Sequence, residues 1–244
     1  IAGGEKMSAD NTLETLNRSS QPTQLRAGEI TLFVPLAGRA SLWKQLSGFL
    51  NRQTLARERM KLILLDTSHD QEFSRQVKQW VADCDYLDVR LIFERVGSAG
   101  LADQPRRDVT PSVRKSMAQI YNRLRDVLES EFVWILEDDV LPPDDVGDRL
   151  LQHFDEEIVS VAAPYRSRFG ERYVVWDKAG RNLISRLQGL TEVGGNGFGC
   201  VVIRSHLIKQ RPFNPTQDCD RQFYERLIAS NSRPFVDWSC DCHH

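Results

Sequence analysis

The chain has 244 residues, 41% of them hydrophobic and 27% charged, the profile of a folded globular protein with room for one large α/β domain or two small ones. Its formal net charge of -2 argues against a polyelectrolyte partner such as nucleic acid. No apolar stretch nears the ~20 residues that span a bilayer.

Residues 1–28 are rich in Gly, Ser, Asn, Gln and Thr and read as a flexible tail or linker, with a short helix around Leu13 to Leu16. From Glu29 onward strand and helix signals alternate. Ile30 to Leu36 is an apolar, β-forming run ended by Pro35 and Gly38. Leu42, Leu46, Phe49 and Leu50 then share one helical face. Leu62 to Leu65 predicts a second strand ending at Asp66, and Phe73, Val77, Trp80 and Val81 a second helix. Val89, Leu91 and Phe93 alternate as a third strand. A loop rich in Gly, Pro and Arg covers residues 97–111, and Val113, Met117, Ile120 and Leu124 recur at helical spacing before the strand Phe132 to Leu136. Continuous apolar strands separated by helices predict one α/β domain over residues 29–244, built on a mixed, mostly parallel sheet flanked by helices. Such sheets bind ligands at the carboxyl ends of their strands, where Pro35, Asp66 and Glu137 fall.

The second half is less regular. Strands are expected at Ile158 to Ala163, Tyr173 to Trp176, Cys200 to Ile203 and Pro234 to Val236, and a helix over Thr216 to Ser230. The run Gly194 to Gly199 predicts a turn that needs positive φ or lets a substrate approach the backbone. Tyr165, Trp176 and Trp238 are candidates to stack on the flat face of a ligand, and core aromatics otherwise.

The densest chemistry lies at Glu137-Asp138-Asp139, where the apolar strand Val133 to Leu136 runs straight into three carboxylates. Stacked negative charge at a buried strand end calls for a cation, and carboxylate oxygens suit Mg2+ or Mn2+. Alternate residues of an extended chain point the same way, so Glu137 and Asp139 share one side and Asp138, the more structural of the three, takes the other.

In order and spacing, these elements resemble the A-type (GT-A) nucleotide-sugar glycosyltransferases, nearest in pattern to the inverting family 2. The resemblance is strongest over residues 30–140. It rests on Thr31-Leu32-Phe33-Val34-Pro35-Leu36, on Leu64-Leu65-Asp66-Thr67-Ser68-His69-Asp70, on Asn122, and on Glu137-Asp138-Asp139 as a relative of the Asp-x-Asp motif. Tyr121 departs from the Arg of the family's Arg-Asn pair, and Glu137 from its first Asp. The resemblance implies a nucleotide-binding half (29–140) and an acceptor half (141–244). On the donor side it implies Asp66 and Ser68 at the base and ribose, Pro35 and Leu36 packed beside the base, and Asn122, Glu137 and Asp138 nearby. Arg39, Arg106, Arg107 and Arg114 are candidates for the diphosphate. Asp139 and Glu137 would meet the metal, completed by His244 or His243. Asp218 or Asp220 would be the catalytic base at the start of a late helix, with Asp218 preferred and a simple N-cap as its alternative. Loops at 97–110 and 166–172 would exclude water.

The implied function is metal-dependent transfer of a sugar from a UDP- or GDP-linked donor to a hydroxyl of a glycan, lipid or protein acceptor. Two rivals stand beside it: a nucleotidyltransferase, for which residues 35–39 are only a faint phosphate loop, and a non-catalytic transferase-like binding module of a larger protein. Cys240, Cys242, His243 and His244, with Cys219, also allow a structural zinc site, though at no standard spacing. The odd number of cysteines suits a reducing compartment and hence a cytoplasmic or cytoplasm-facing protein. No signal peptide is visible. The chain opens on Ile1 and closes on His-His, as an excised piece of a longer protein would.

Overall fold

The structure, a computed structural model, describes residues 15–19 as backbone and residues 29–97 and 110–244 in full. Its first half contains β1 (Thr15–Ser19), β2 (Ile30–Leu36), α1 (Ala40–Arg52), β3 (Met60–Asp66), α2 (Gln71–Asp83), β4 (Asp88–Phe93), α3 (Pro111–Val127), β5 (Phe132–Leu136) and α4 (Val146–Leu151). The second half adds β6 (Ile158–Ala162), β7 (Val175–Trp176), β8 (Leu190–Glu192), β9 (Gly195–Asn196), β10 (Cys200–Arg204), α5 (Ser205–Lys209), α6 (Cys219–Ala229) and β11 (Arg233–Asp237).

Nine of these strands form one sheet in the order β1-β4-β3-β2-β5-β10-β6-β11-β8, and β7 pairs with β9 apart from it. The block β4-β3-β2-β5 is parallel. Strand β10 runs against both β5 and β6, β6 and β11 are parallel, and β1 and β8 are antiparallel edges. Six of the nine therefore point the same way (β2, β3, β4, β5, β6 and β11), and the sheet is mixed and mostly parallel, as the element pattern predicts.

Alternation along the strands builds two cores. Leu32, Val34, Leu62, Leu64, Trp134 and Leu136 face Trp43, Phe49, Phe73 and Val77 of α1 and α2. Phe33, Ile63, Leu65, Val133 and Ile135 face Ile120 and Leu124 of α3 and Phe223 and Leu227 of α6. Strands β2, β3 and β5 are buried on both faces, which explains their unbroken apolar character. Gly147 in α4 lets the helix close on Trp134, whose ring a Cβ there would meet at 2.8 Å.

The helix starts follow local chemistry. The Asp70 carboxylate accepts from the N–H groups of Glu72 and Phe73 and caps α2, and Thr110 caps α3 ahead of Pro111. The N-cap position of α1 is Arg39, whose side chain makes no cap bond. Gly38 (φ 87°) packs on the β3–α2 turn so closely that a Cβ would lie 2.5 Å from Ser68 Cβ.

Three expectations change. Thr15 and Leu16 belong to a strand on the edge of β4, not to a helix, with Leu16 opposite Leu91; Leu13 lies outside the described residues. Of the strand expected at Tyr173 to Trp176, only Val175 and Trp176 form a strand, paired with β9, while Tyr173 makes an isolated bridge to Arg166. The Gly194 to Gly199 run is buried throughout and already filled: a Cβ on Gly195 would strike Trp176 and Tyr224, and one on Gly199 would strike Tyr165. Its glycines admit neighbouring aromatic rings, not a substrate.

Candidate functional site

A cleft of about 430 Å³ opens at the carboxyl ends of β2 and β5. Pro35, Ala37, Arg39 and Thr67 line one wall, Glu137 and Asp139 the floor, and Val113, Arg114, Met117, Ile120 and Tyr121 of α3 a second wall. The second half closes it with Tyr165, Arg168, Phe169, Trp176, Phe198, residues 218–221 and His244.

The three consecutive acids divide as chain alternation predicts. Glu137 and Asp139 face the cleft, while Asp138 turns away and is buried. Asp138 accepts from the Ala37 N–H at 2.7 Å and pairs with Arg39, which ties the end of β5 to the β2–α1 turn. That occupation removes Asp138 from the donor-facing set. Burial nonetheless pushes its carboxyl up to about 6, against the opposing pull of Arg39.

Glu137 is anchored through its backbone N–H to the Gly199 carbonyl at 2.9 Å. Its Oε1 accepts from the Tyr121 hydroxyl at 3.0 Å. Burial, reinforced by the negative charge of Asp139, pushes Glu137 up to about 7. Burial would likewise raise Asp139, but the hydrogen bond from His244 and the charges of Arg39, His244 and Arg168 outweigh it and hold that carboxyl low. Arg39 (3.0 Å), His244 (3.3 Å) and Arg168 (3.6 Å) all approach Oδ2 of Asp139.

His244 is set by the last residues of the chain. Cys242 N–H donates to the Pro164 carbonyl, and Leu141 and His243 exchange backbone bonds in an antiparallel bridge. The His244 Nδ1–H then donates to the Arg166 carbonyl at 2.9 Å, which leaves Nε2 toward Asp139. This is the arrangement of a metal-binding imidazole, with the outer nitrogen fixed on a carbonyl. Burial opposes the charged ring, but Asp139 raises its pKa. His243 does not line the cleft; its role is the backbone bridge, which takes it out of the expected metal set. Asp139 and His244 are in contact at 3.3 Å and Glu137 lines the same cleft; carboxylate and imidazole are donor types that Mn2+ or Mg2+ accepts. Among the described residues no group of three or more His, Cys, Asp or Glu is preassembled as a metal cage. Cys240 and Cys242 instead sit in the core, and burial pushes the Cys240 thiol up to about 12, the reverse of what a zinc thiolate needs.

The other expected donor-side residues are mostly engaged in structure. Asp66 is buried; its Oδ1 accepts from Ser68 N–H at 2.9 Å and its Oδ2 from the Ser74 hydroxyl. Ser68 Oγ accepts from Asp70 N–H. These carboxylate and hydroxyl groups shape the β3–α2 turn, and it is Thr67 of that turn that lines the cleft. Leu36 is fully buried in the core, whereas Pro35 reaches the cleft wall. Asn122 clamps the backbone of Phe213 from both sides, its Nδ2 to the carbonyl at 3.1 Å and its Oδ1 from the N–H at 2.8 Å. Arg106 and Arg107 lie outside the described residues.

Across the cleft, Asp218 and Asp220 have different fates. Asp218 occupies the N-cap position of α6 without capping it and pairs with Arg114 at 2.8 Å. Asp220, in the first turn, is pushed up to about 6 by burial, with the bond from the Arg221 N–H opposing. Of the aromatics, Tyr165 and Trp176 line the cleft; Trp238 is buried against Tyr173. Sequence reasoning did not single out Arg168 or Phe198, since both depend on how distant segments meet.

No family model matches the sequence, and no curated protein matches it. Solved structures do. A mannosyltransferase, PcManGT from Pyrobaculum calidifontis in complex with GDP-Man and Mn2+, superposes at TM-score 0.64 and 14% identity over 92% of this chain. GalNAc-T7 with UDP, GalNAc and Mn2+ gives 0.60 at 9% identity over 89%. S. aureus TarS 1-349 gives 0.58 at 13% identity over 88%. The chain spans 60%, 44% and 60% of those structures respectively. Its fold is that of the GT-A glycosyltransferases. No helix among the described residues is long and apolar enough to cross a membrane.

Proposed function

We propose that this GT-A-like chain is a metal-dependent glycosyltransferase that moves a sugar from a UDP- or GDP-linked donor to an acceptor hydroxyl, with inversion. The observation that carries the reading is the convergence of Glu137, Asp139, His244 and Asp220 in one cleft at the strand ends of this fold. The GDP-Man, UDP and Mn2+ named with the superposed structures add support.

The reaction forms a bond from the acceptor oxygen to the sugar C1 and breaks the bond from C1 to the diphosphate oxygen. Asp220 takes the acceptor proton. Its buried carboxyl, with a pKa of about 6, is charged at neutral pH yet basic enough to serve. Asp218 is the weaker candidate because Arg114 already holds it. Asp139 and His244 would hold the divalent metal, with Glu137 in the same cleft. When bound, the ion neutralises charge on the leaving diphosphate. Arg39 and Arg168, both beside Asp139, orient that diphosphate by charge-assisted hydrogen bonds. Tyr121 fixes Glu137, while Phe169 and the α3 wall keep water from the reacting carbon.

The test is calorimetry of UDP and GDP with and without Mn2+. Metal-dependent binding of one of them is expected, and binding of neither with any divalent ion sinks the reading. A nucleotidyltransferase would require a nucleoside triphosphate to bind better than the diphosphate, which the same titrations compare.

A further inference from the structure

The cations of the cleft are not alike. Arg39 pairs with Asp138 and Asp139, Arg168 with Asp139, and Arg114 with Asp218. Arg221 has no carboxylate within ion-pair distance among the described residues. Its guanidinium lies flat over Trp176, 3.8 Å from the ring centroid. Two of its nitrogens reach only neutral oxygens, the Gly180 carbonyl at 3.2 Å and Asn182 Oδ1 at 3.3 Å. Asn182 is itself oriented by donating to the Tyr173 carbonyl at 3.1 Å. The side chain is thus a flat cation, braced from below and along one edge, and it lines the cleft next in sequence to Asp220.

We propose that the acceptor is anionic, and that its phosphate or carboxylate group docks on Arg221 while its hydroxyl meets Asp220. This rests on the transferase reading above and names its acceptor class. A guanidinium prepaid in conformation by stacking loses little freedom when it binds an oxyanion, and its planar fork suits two parallel N–H···O bonds. An oxyanion would also give Arg221 a close ion pair of the kind that Arg39, Arg114 and Arg168 already make, beyond the pull its charge exerts on the neighbouring Asp220.

The experiment loads the full chain with Mn2+ and whichever of UDP or GDP binds, then titrates a hexose 6-phosphate, a hexuronate and a neutral methyl hexoside. The two anionic probes are expected to bind at least about tenfold more tightly than the neutral one. Arg221→Gln should erase that difference, and Arg221→Lys should keep part of it. A preference for the phosphate alone assigns a phosphorylated acceptor; a preference for both assigns oxyanions generally. Equal binding of all three probes, or a preference that survives in Arg221→Gln, overturns the proposal. Thermal melting of each variant shows whether a lost preference comes from a lost fold. Failure of the underlying reading is separately visible as no nucleotide binding. The probes are then titrated against the free protein, where the same Arg221-dependent preference is decisive.

Discussion

The cleft carries acids from two places, the end of β5 and the start of α6, and the chain sorts them by different means. At β5 the sorting is local. An extended backbone turns Glu137 and Asp139 one way and Asp138 the other, and the outward-turned Asp138 is consumed by Ala37 and Arg39. At α6 both Asp218 and Asp220 line the cleft, and the distinction comes from Arg114 on another helix, 104 residues away. A strand end thus encodes which acid faces the cleft; a helix start leaves the acids to be told apart by tertiary partners.

Substitutions can break this contrast. Asp220→Asn should lower kcat by roughly 10²–10⁴, the usual contribution of a positioned base, with nucleotide affinity kept; steady-state kinetics beside calorimetry read both. Asp139→Ala should weaken Mn2+-dependent nucleotide binding by at least about 100-fold, more than loss of an outer-shell partner does, and unchanged affinity would refute its role as a ligand. Tyr121→Phe deletes the hydroxyl that holds Glu137 and leaves a buried acceptor short of a donor. A roughly tenfold loss in nucleotide affinity is expected, visible in KM before kcat. Asp218→Asn should change kcat only a few-fold, on the order expected of a half-exposed ion pair. An effect as large as that of Asp220→Asn would reverse the assignment of the base.

The mildest effect is a pH dependence of stability. Glu137, Asp138 and Asp220 sit at about 7, 6 and 6 in the folded chain, against ~4 when unfolded. Between those values the folded state binds more protons, so stability falls as pH rises through that window. His244, raised by Asp139, adds in the same sense and higher up. The Tm in metal-free buffer should therefore be a few degrees lower at pH 8 than at pH 5.5, and Mn2+ with nucleotide should narrow the gap. A metal-free Tm that climbs toward pH 8 would show that these acids are not buried as described.

The same contrast explains what was legible in the sequence. β2 and β5 are unbroken apolar runs with sharp polar ends, and their bounds agree with the reading to the residue. The helices at α1, α2 and α3 follow from apolar spacing and extend it by a residue or two into caps. β8 is a polar triplet, Leu190–Glu192, that becomes a strand only because β11 pairs with it, and no periodicity announces it. Glu137, Asp139, His244 and Asp220 all line the cleft and are legible as candidates from residue type and position, although the sequence favours Asp218 over Asp220. Asp66 and Ser68 make their hydrogen bonds within the β3–α2 turn and α2, and Asn122 makes its own to Phe213, 91 residues away, engagements that spacing cannot reveal. Arg168 and Arg221 gain meaning only from the surfaces they lie against.

One small contact locks together the two turns that build one wall of the cleft. Gly38 meets Ser68 with no room for a methyl group, Thr67 beside Ser68 is cleft wall, and Arg39 beside Gly38 grips Asp138 and Asp139. Gly38→Ala, strained at φ 87° and without room beside Ser68, should shift the start of α1 and be felt at the acids through Arg39.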